Sequence, residues 1–313
     1  MRAVERRGAP VAVRAVGAAR SVAVHVSVLV DEVVFLLRPR REGWVIDGTV
    51  GMGGHAAALL ETAPASVRLL GLDVDPEALE RSRARLAGFG DRVTLAHASF
   101  RDVAATAAAH EITRAESILL DLGVSSEQLE ASGRGFSFQA DEPLDMRLDP
   151  TTGPPATALL DRLPEPELTR VLTEYGDEPQ ARRIARAIVR RRPLRTTTDL
   201  VAAVKSAVPR AAWPKRLHVA TRTFQAIRMA VNDEPGALRQ ALPQAASLLA
   251  PGGRLGVIAF HSGEDRIVKQ TFRELSRAEY AEIEPSPRMP TDDEVRANPR
   301  ARSAKLRVLE RIQ

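Results

Sequence analysis

Trp44-Val45-Ile46-Asp47 runs without interruption into Gly48-Thr49-Val50-Gly51-Met52-Gly53-Gly54-His55 and then into an alanine- and leucine-rich stretch through Leu60. A short apolar run, a glycine-rich turn and a helical segment in direct succession form the opening of a βαβ unit. Glycines in such a turn let the backbone approach a ligand closely, and the following helix aims its free N–H groups at it. The pattern repeats. Val67–Val74 reads as a second strand closed by Asp73, Asp75 and Pro76, and a helix with Ala78, Leu79 and Leu86 follows. A third strand falls near Arg92–Ala96, and Ser117–Leu120 is a fourth apolar run. Strands alternating with helices predict an α/β fold built on a parallel sheet.

The alternation then stops. From about 134 to 219 no convincing strand is found and most residues read as helix and turn. Gln180–Arg192 is amphipathic, with Ile184, Ile188 and Val189 on one face and Arg182, Arg183, Arg186 and Arg190 around it. Helices over Thr223–Val231 and Leu238–Leu249, a strand over Arg254–Phe260 and a last strand over Lys305–Ile312 resume the α/β pattern. The expected organisation is a basic tail over 1–24, read as disordered, and a core over 25–133. A helical insertion over 134–219 follows, and the core returns over 220–313.

Composition narrows the chemistry. The chain has 313 residues, 44% of them hydrophobic, enough for a real core, and no cysteine. Disulfides, thiolate zinc sites, iron–sulfur clusters and cysteine nucleophiles are therefore excluded. The six histidines show no metal-ligand spacing, so no metal is expected. No apolar run reaches the roughly 18–20 residues of a membrane span, and a cytoplasmic location is expected. The net charge is only +5, but it is uneven. Residues 179–230 hold 13 basic residues against Asp199 alone, or +12, while 127–149 and 161–178 each sum to −4. A basic block of that size suits a polyanion, or else solvated helix faces.

Asp73 lies 22 residues beyond Gly51, where an acid ending the second strand accepts the ribose hydroxyls of an adenosine cofactor. Nicotinamide dinucleotides and S-adenosylmethionine (SAM) share that need. The dinucleotide fingerprint is G-x-G-x-x-G, whereas here Asp47 opens a D-x-x-x-G-x-G-G loop. An acid there repels a pyrophosphate and suits the ammonium of a methionine moiety, which favours SAM over a nicotinamide-dependent oxidoreductase.

These residues, with others further on, resemble the RsmH/MraW family of SAM-dependent cytosine-N4 methyltransferases of 16S ribosomal RNA. The matching blocks are His25–Leu29, Asp47–His55, Leu119–Leu129, Arg134–Phe138, Pro143–Arg147 and Ala220–Arg228, then Phe260-His261-Ser262 with Glu264-Asp265-Arg266, and Asn298–Val308. The resemblance implies a class I SAM-methyltransferase, Rossmann-like sheet with helices on both faces, interrupted by an inserted, mainly helical domain. It implies SAM as cofactor, held by Gly53, Gly54, His55, Asp73, Phe100, Asp121 and Gln128. The implied substrate is 16S rRNA near the decoding centre, alone or within the small ribosomal subunit. A non-catalytic SAM-binding ribosome assembly factor is the other reading, and oligomeric state is left open. Residues 1–24 match nothing in the family, and Gly263 and Pro235 stand where leucine is usual.

Cytosine N4 is a poor nucleophile because its lone pair is delocalised, so the site must supply acceptors for the amino hydrogens. The loop after the fourth strand, Asp121-Leu122-Gly123-Val124, has no proline pair or aromatic. Asp121 is a candidate both for cofactor contact, which is favoured, and for amino acceptance. His261, after the fifth strand, is a candidate for proton removal or a structural turn residue. Phe136, Phe138, Tyr175, Trp213 and His218 are candidates to stack on the base. Arg182, Arg183, Arg186 and Arg190–Arg192 are candidates for phosphate contact, with Arg222 and Arg228 flanking the return to the core.

Overall fold

The computed structural model describes residues 27–125, 128–129, 133–277 and 279–313. The basic tail, His25 and Val26, and Ser126 and Glu127 of the fourth-strand motif lie outside them. Helix α1 (Val30–Leu37) leads into β1 (Gly43–Asp47), α2 (Gly54–Thr62), β2 (Val67–Asp73), α3 (Pro76–Leu86), β3 (Val93–His97), α4 (Val103–Ala109) and β4 (Ala115–Asp121). Further on come α5 (Ala156–Arg162), α6 (Glu165–Gly176), α7 (Ala181–Arg191), α8 (Thr197–Ala207), α9 (Thr221–Val231) and α10 (Glu234–Leu248). Strand β5 (Leu249–Ala259), α11 (Ser262–Leu275), β6 (Tyr280–Glu282), α12 (Asp292–Ala297) and β7 (Lys305–Arg311) complete the order.

The seven strands form one sheet in the order β3-β2-β1-β4-β5-β7-β6. Neighbours from β3 through β5 are parallel, and β7 runs antiparallel to both β5 and β6. Side chains alternate across each strand and feed two layers. Ile46, Leu70, Leu72, Ile118, Leu120, Leu255 and Val257 pack with α4, α10 and α11 on one face. Val45, Val67, Leu69, Leu119 and Ile258 pack with α1, α2 and α3 on the other. Burial on both faces is why these strands read as unbroken apolar runs. The sequence expectation contains no counterpart of α1, α11, β6 or α12, and β5 begins at Leu249, ahead of Pro251-Gly252-Gly253.

A third apolar cluster joins α5 to α9. Leu160, Leu168, Leu172, Ile184, Ile188, Leu200 and Val204 meet Phe224, Ala226 and Ile227 there. Helix α9, assigned by sequence to the returning core, therefore packs with the helices that precede it. The α6–α9 approach is close: a Cβ on Gly176 would fall 2.7 Å from the Arg222 carbonyl oxygen. Among the described residues no helix is long and apolar enough to cross a membrane.

Candidate functional site

The order of strands reverses between β1 and β4, and open α/β sheets bind ligands outside the carboxyl ends at such a point. A cavity of about 170 Å³ lies there, lined by the β1–α2 loop, the ends of β2 and β4, Phe100, α9, α10, α11 and the 298–300 segment.

The loop is held by backbone groups. Val50 donates to the Leu72 carbonyl at 2.8 Å, and Gly53 to the Val50 carbonyl at 2.7 Å. Gly53 takes a left-handed conformation (φ 74°) as the N-cap of α2, which an L side chain resists. A Cβ on Gly54 would fall 2.0 Å from Ser27 Oγ, so the chain before α1 presses directly on this turn. Asp73 closes the loop from β2. Its Oδ2 accepts the Gly51 N–H and its Oδ1 the Asp75 N–H, both at 2.9 Å. Burial pushes its carboxyl up to about 6, although these N–H donors oppose the rise.

Behind the loop lies a cluster of acids around one histidine. Asp47 is buried at 1% exposure, accepts the Thr49 N–H at 3.1 Å and is pushed by burial to about 7. It does not line the cavity, so the acid that opens the motif supports the turn from beneath. The acid that does reach the cavity is Asp121. Burial, reinforced by the negative charge of Glu264, raises it to about 7, and its buried Oδ1 has no hydrogen-bond partner among the described residues. Asp121 Oδ2 lies 3.6 Å from His55 Nδ1, while His55 Nε2 is 2.8 Å from the Val28 carbonyl oxygen. That carbonyl requires the proton on Nε2, and burial lowers the histidine's pKa. The neutral ring therefore turns its Nδ1 lone pair toward Asp121.

Two further carboxylates face the cavity from the opposite side. Glu264, in the first turn of α11, accepts the Phe260 N–H at 2.9 Å. Against the cost of burial, the facing His261 ring holds Glu264 below the ordinary glutamate value. Glu234, in the first turn of α10, forms a two-point pair with Arg228 at 2.8 Å on each arm.

Of the seven residues expected to hold the cofactor, Gly54, His55, Asp73, Phe100, Asp121 and Gln128 line this cavity. Gly53 sets the turn but does not line it. His261 is not in the lining either: its Nδ1 accepts the Glu264 N–H at 3.3 Å, and its Nε2 lies 3.2 Å from Glu264 Oε1. None of the five aromatic stacking candidates lines the cavity. Phe138 stacks on His218 with centroids 4.5 Å apart, Phe136 and Tyr175 belong to the helical cluster, and Trp213 donates to the Val208 carbonyl. The aromatic lining the β5 side is Phe260, and Pro235, one of the two departures from the family pattern, is also in the wall. Sequence reasoning gave no role to Glu234, Glu264 or Phe260. A carboxylate in the first turn of a helix that starts at this edge of the sheet is the signal that marks two of them.

The arginines divide. Arg182, Arg183, Arg186, Arg190 and Arg191 on α7 are exposed while Ile184 and Ile188 are buried. Arg192 instead donates to the Leu163 carbonyl, Arg222 to that of Asp177, and Arg228 is held by Glu234 inside the molecule.

A model of the MraW methylase family matches residues 22–312, so the match begins three residues inside the segment 1–24 that was expected to lie outside the family pattern. The chain is 48% identical over 309 residues to "Ribosomal RNA small subunit methyltransferase H" of Heliobacterium modesticaldum, covering 92% of this chain and 99% of that one. It is 45% identical over 307 residues to the protein of the same name from Geobacter sp. (strain M21), covering 92% and 98%.

Proposed function

Because the chain belongs to the MraW methylase family, we propose that it transfers a methyl group from SAM to the exocyclic N4 of a cytosine in small-subunit (16S) rRNA, near the decoding centre, in the cytoplasm. The observation that carries this reading is the acid-lined cavity at the strand reversal. Its walls combine Asp73, Asp121, Glu234 and Glu264 with Phe100, Val74 and Ala78. The partnerless Asp121 Oδ1 suits an ammonium donor, Asp73 suits paired ribose hydroxyls, and Phe100 offers a face for adenine. The same acids disfavour a pyrophosphate, which counts against a nicotinamide cofactor.

SAM, when bound, supplies an electrophilic methyl carbon on a sulfonium. The protein's share is largely positioning. Leu122, Leu238, Ile267 and Met229 give the cavity apolar walls. Asp121 and Glu264 are the acceptors available to an amino group entering beside Phe260, and Asp121 retains its cofactor role as the favoured one. His261 reaches the reaction through Glu264, whose charge it stabilises. The residues 134–219, as an inserted domain carrying the exposed arginine face of α7, form the RNA-facing part. The target base leaves its stack to enter the cavity.

Mass spectrometry of rRNA nucleosides from a deletion strain tests the proposal. Loss of N4-methylcytidine from small-subunit rRNA, restored by the intact gene, is expected. Unchanged N4-methylcytidine would instead favour a SAM-binding assembly factor.

A further inference from the structure

Asp75 stands two residues beyond Asp73, is only 2% exposed and does not line the cavity. Its Oδ1 accepts the Glu77 N–H at 3.1 Å and so caps α3. Capping needs one oxygen, which a serine would supply without burying a charge. The second oxygen has other partners. Oδ2 accepts Gln128 Nε2 at 2.8 Å and the guanidinium of Arg134.

Each partner leads to the cavity by a different path. Gln128 is itself part of the lining. Arg134 donates through Nη1 to the carbonyls of Leu148, at 2.9 Å, and Arg147, at 3.3 Å. Leu148 lines the opposite wall, with its N–H held by Asn232 Oδ1 at 2.8 Å. Asp75 also donates its own N–H to Asp73, the acid that closes the glycine loop. One buried carboxylate thus fastens two segments, one at Gln128 and Arg134 and the other at 147–148, to the carboxyl end of β2.

We propose that Asp75 is a positioning residue for methyl transfer. It sets Gln128 for the cofactor through one arm and, through Arg134, the Leu148 wall for the RNA substrate, so both ligands depend on one carboxylate. The inference rests on the reading of the cavity given above. Asp75→Asn keeps an oxygen for the α3 cap but turns an amide donor toward Gln128 and Arg134. Arg134→Gln cuts the second arm alone.

The test uses calorimetry of the full chain with S-adenosylhomocysteine (SAH) as probe, and steady-state kinetics with small-subunit rRNA, both below each variant's melting transition. D75N is expected to weaken SAH about tenfold, the loss typical of one charge-assisted hydrogen bond, and to raise KM for rRNA. R134Q is expected to raise KM for rRNA with SAH affinity within about twofold of wild type. A purely structural Asp75 would lower the melting temperature and leave SAH affinity and KM unchanged, which overturns the inference. Wild-type chain that takes up no SAH overturns the reading of the cavity, and the inference with it. Should D75N fail to fold, R134Q decides: a wild-type KM for rRNA overturns the proposal, and a raised one with intact SAH affinity supports it.

Discussion

Around the cavity the backbone does most of the holding, whereas between β4 and β5 side chains do it. The glycine loop is fixed by N–H groups of Val50, Gly51 and Gly53, and Asp73 accepts the backbone N–H groups of Gly51 and Asp75. The helices α5 to α9 instead share an apolar cluster, and α7 turns five arginines outward. The first region is set by a few residues, so the loss of one alters the cavity itself. The second tolerates change on its surface, but any void in its interior is costly.

The contrast is broken most severely at Asp73. Asp73→Ala loosens Gly51 and, on the proposed reading, removes the acceptor for both ribose hydroxyls, so about 3–6 kcal/mol of SAH binding should vanish, or roughly 10²–10⁴-fold. RNA affinity measured by gel shift should stay near wild type. Equal loss of both would mean that the two regions do not bind separately. Next in size is Ile188→Ala, fully buried in the helical cluster. Chemical denaturation should show about 2–4 kcal/mol less stability, while SAH affinity of the folded protein is unchanged.

Charge reversal at Arg182, Arg183 and Arg186 should leave stability alone and weaken RNA binding. The slope of log affinity against log salt should shallow by about two to three if each arginine meets a phosphate. An unchanged slope would return this face to solvent. A further effect is in pH dependence. Asp121 binds its proton up to about pH 7 when folded, but only to about pH 4 when unfolded. The folded chain therefore holds a proton that unfolding releases, and this contribution to stability falls as pH rises through that window. Asp121→Asn should flatten the decline in melting temperature between pH 5 and 7. A profile parallel to wild type would contradict the burial of this acid.

What could be read from sequence follows the same division. The strands β1 to β4 and the loop at Gly51–Gly54 were legible because their determinants are local: apolar runs buried on both faces, and glycines at a turn. Strand β6 was not, since Tyr280–Glu282 is a strand only by pairing with β7. The count of basic residues in 179–230 treated Arg228 like Arg182, because a tally cannot see that Glu234 folds back to bind it. Asp47 was read as facing the ligand, while its position beneath Thr49 follows from how the loop turns. Glu264 differs: its contacts with His261 and the Phe260 N–H are local, but that it faces a cavity is set by the strands and helices around it.

The place of β7 has a consequence in time. It lies between β5 and β6, yet residues 260–304 separate it from β5 along the chain. At roughly 5–20 residues per second of synthesis, β5 emerges with one edge open for several seconds before its partner exists. Val257 and Ile258 sit on that edge, a template for pairing with a neighbouring nascent chain. The hazard lasts until Leu306, Val308 and Leu309 arrive to close it, so the chain's exposure to misassembly depends on elongation rate as much as on its final stability.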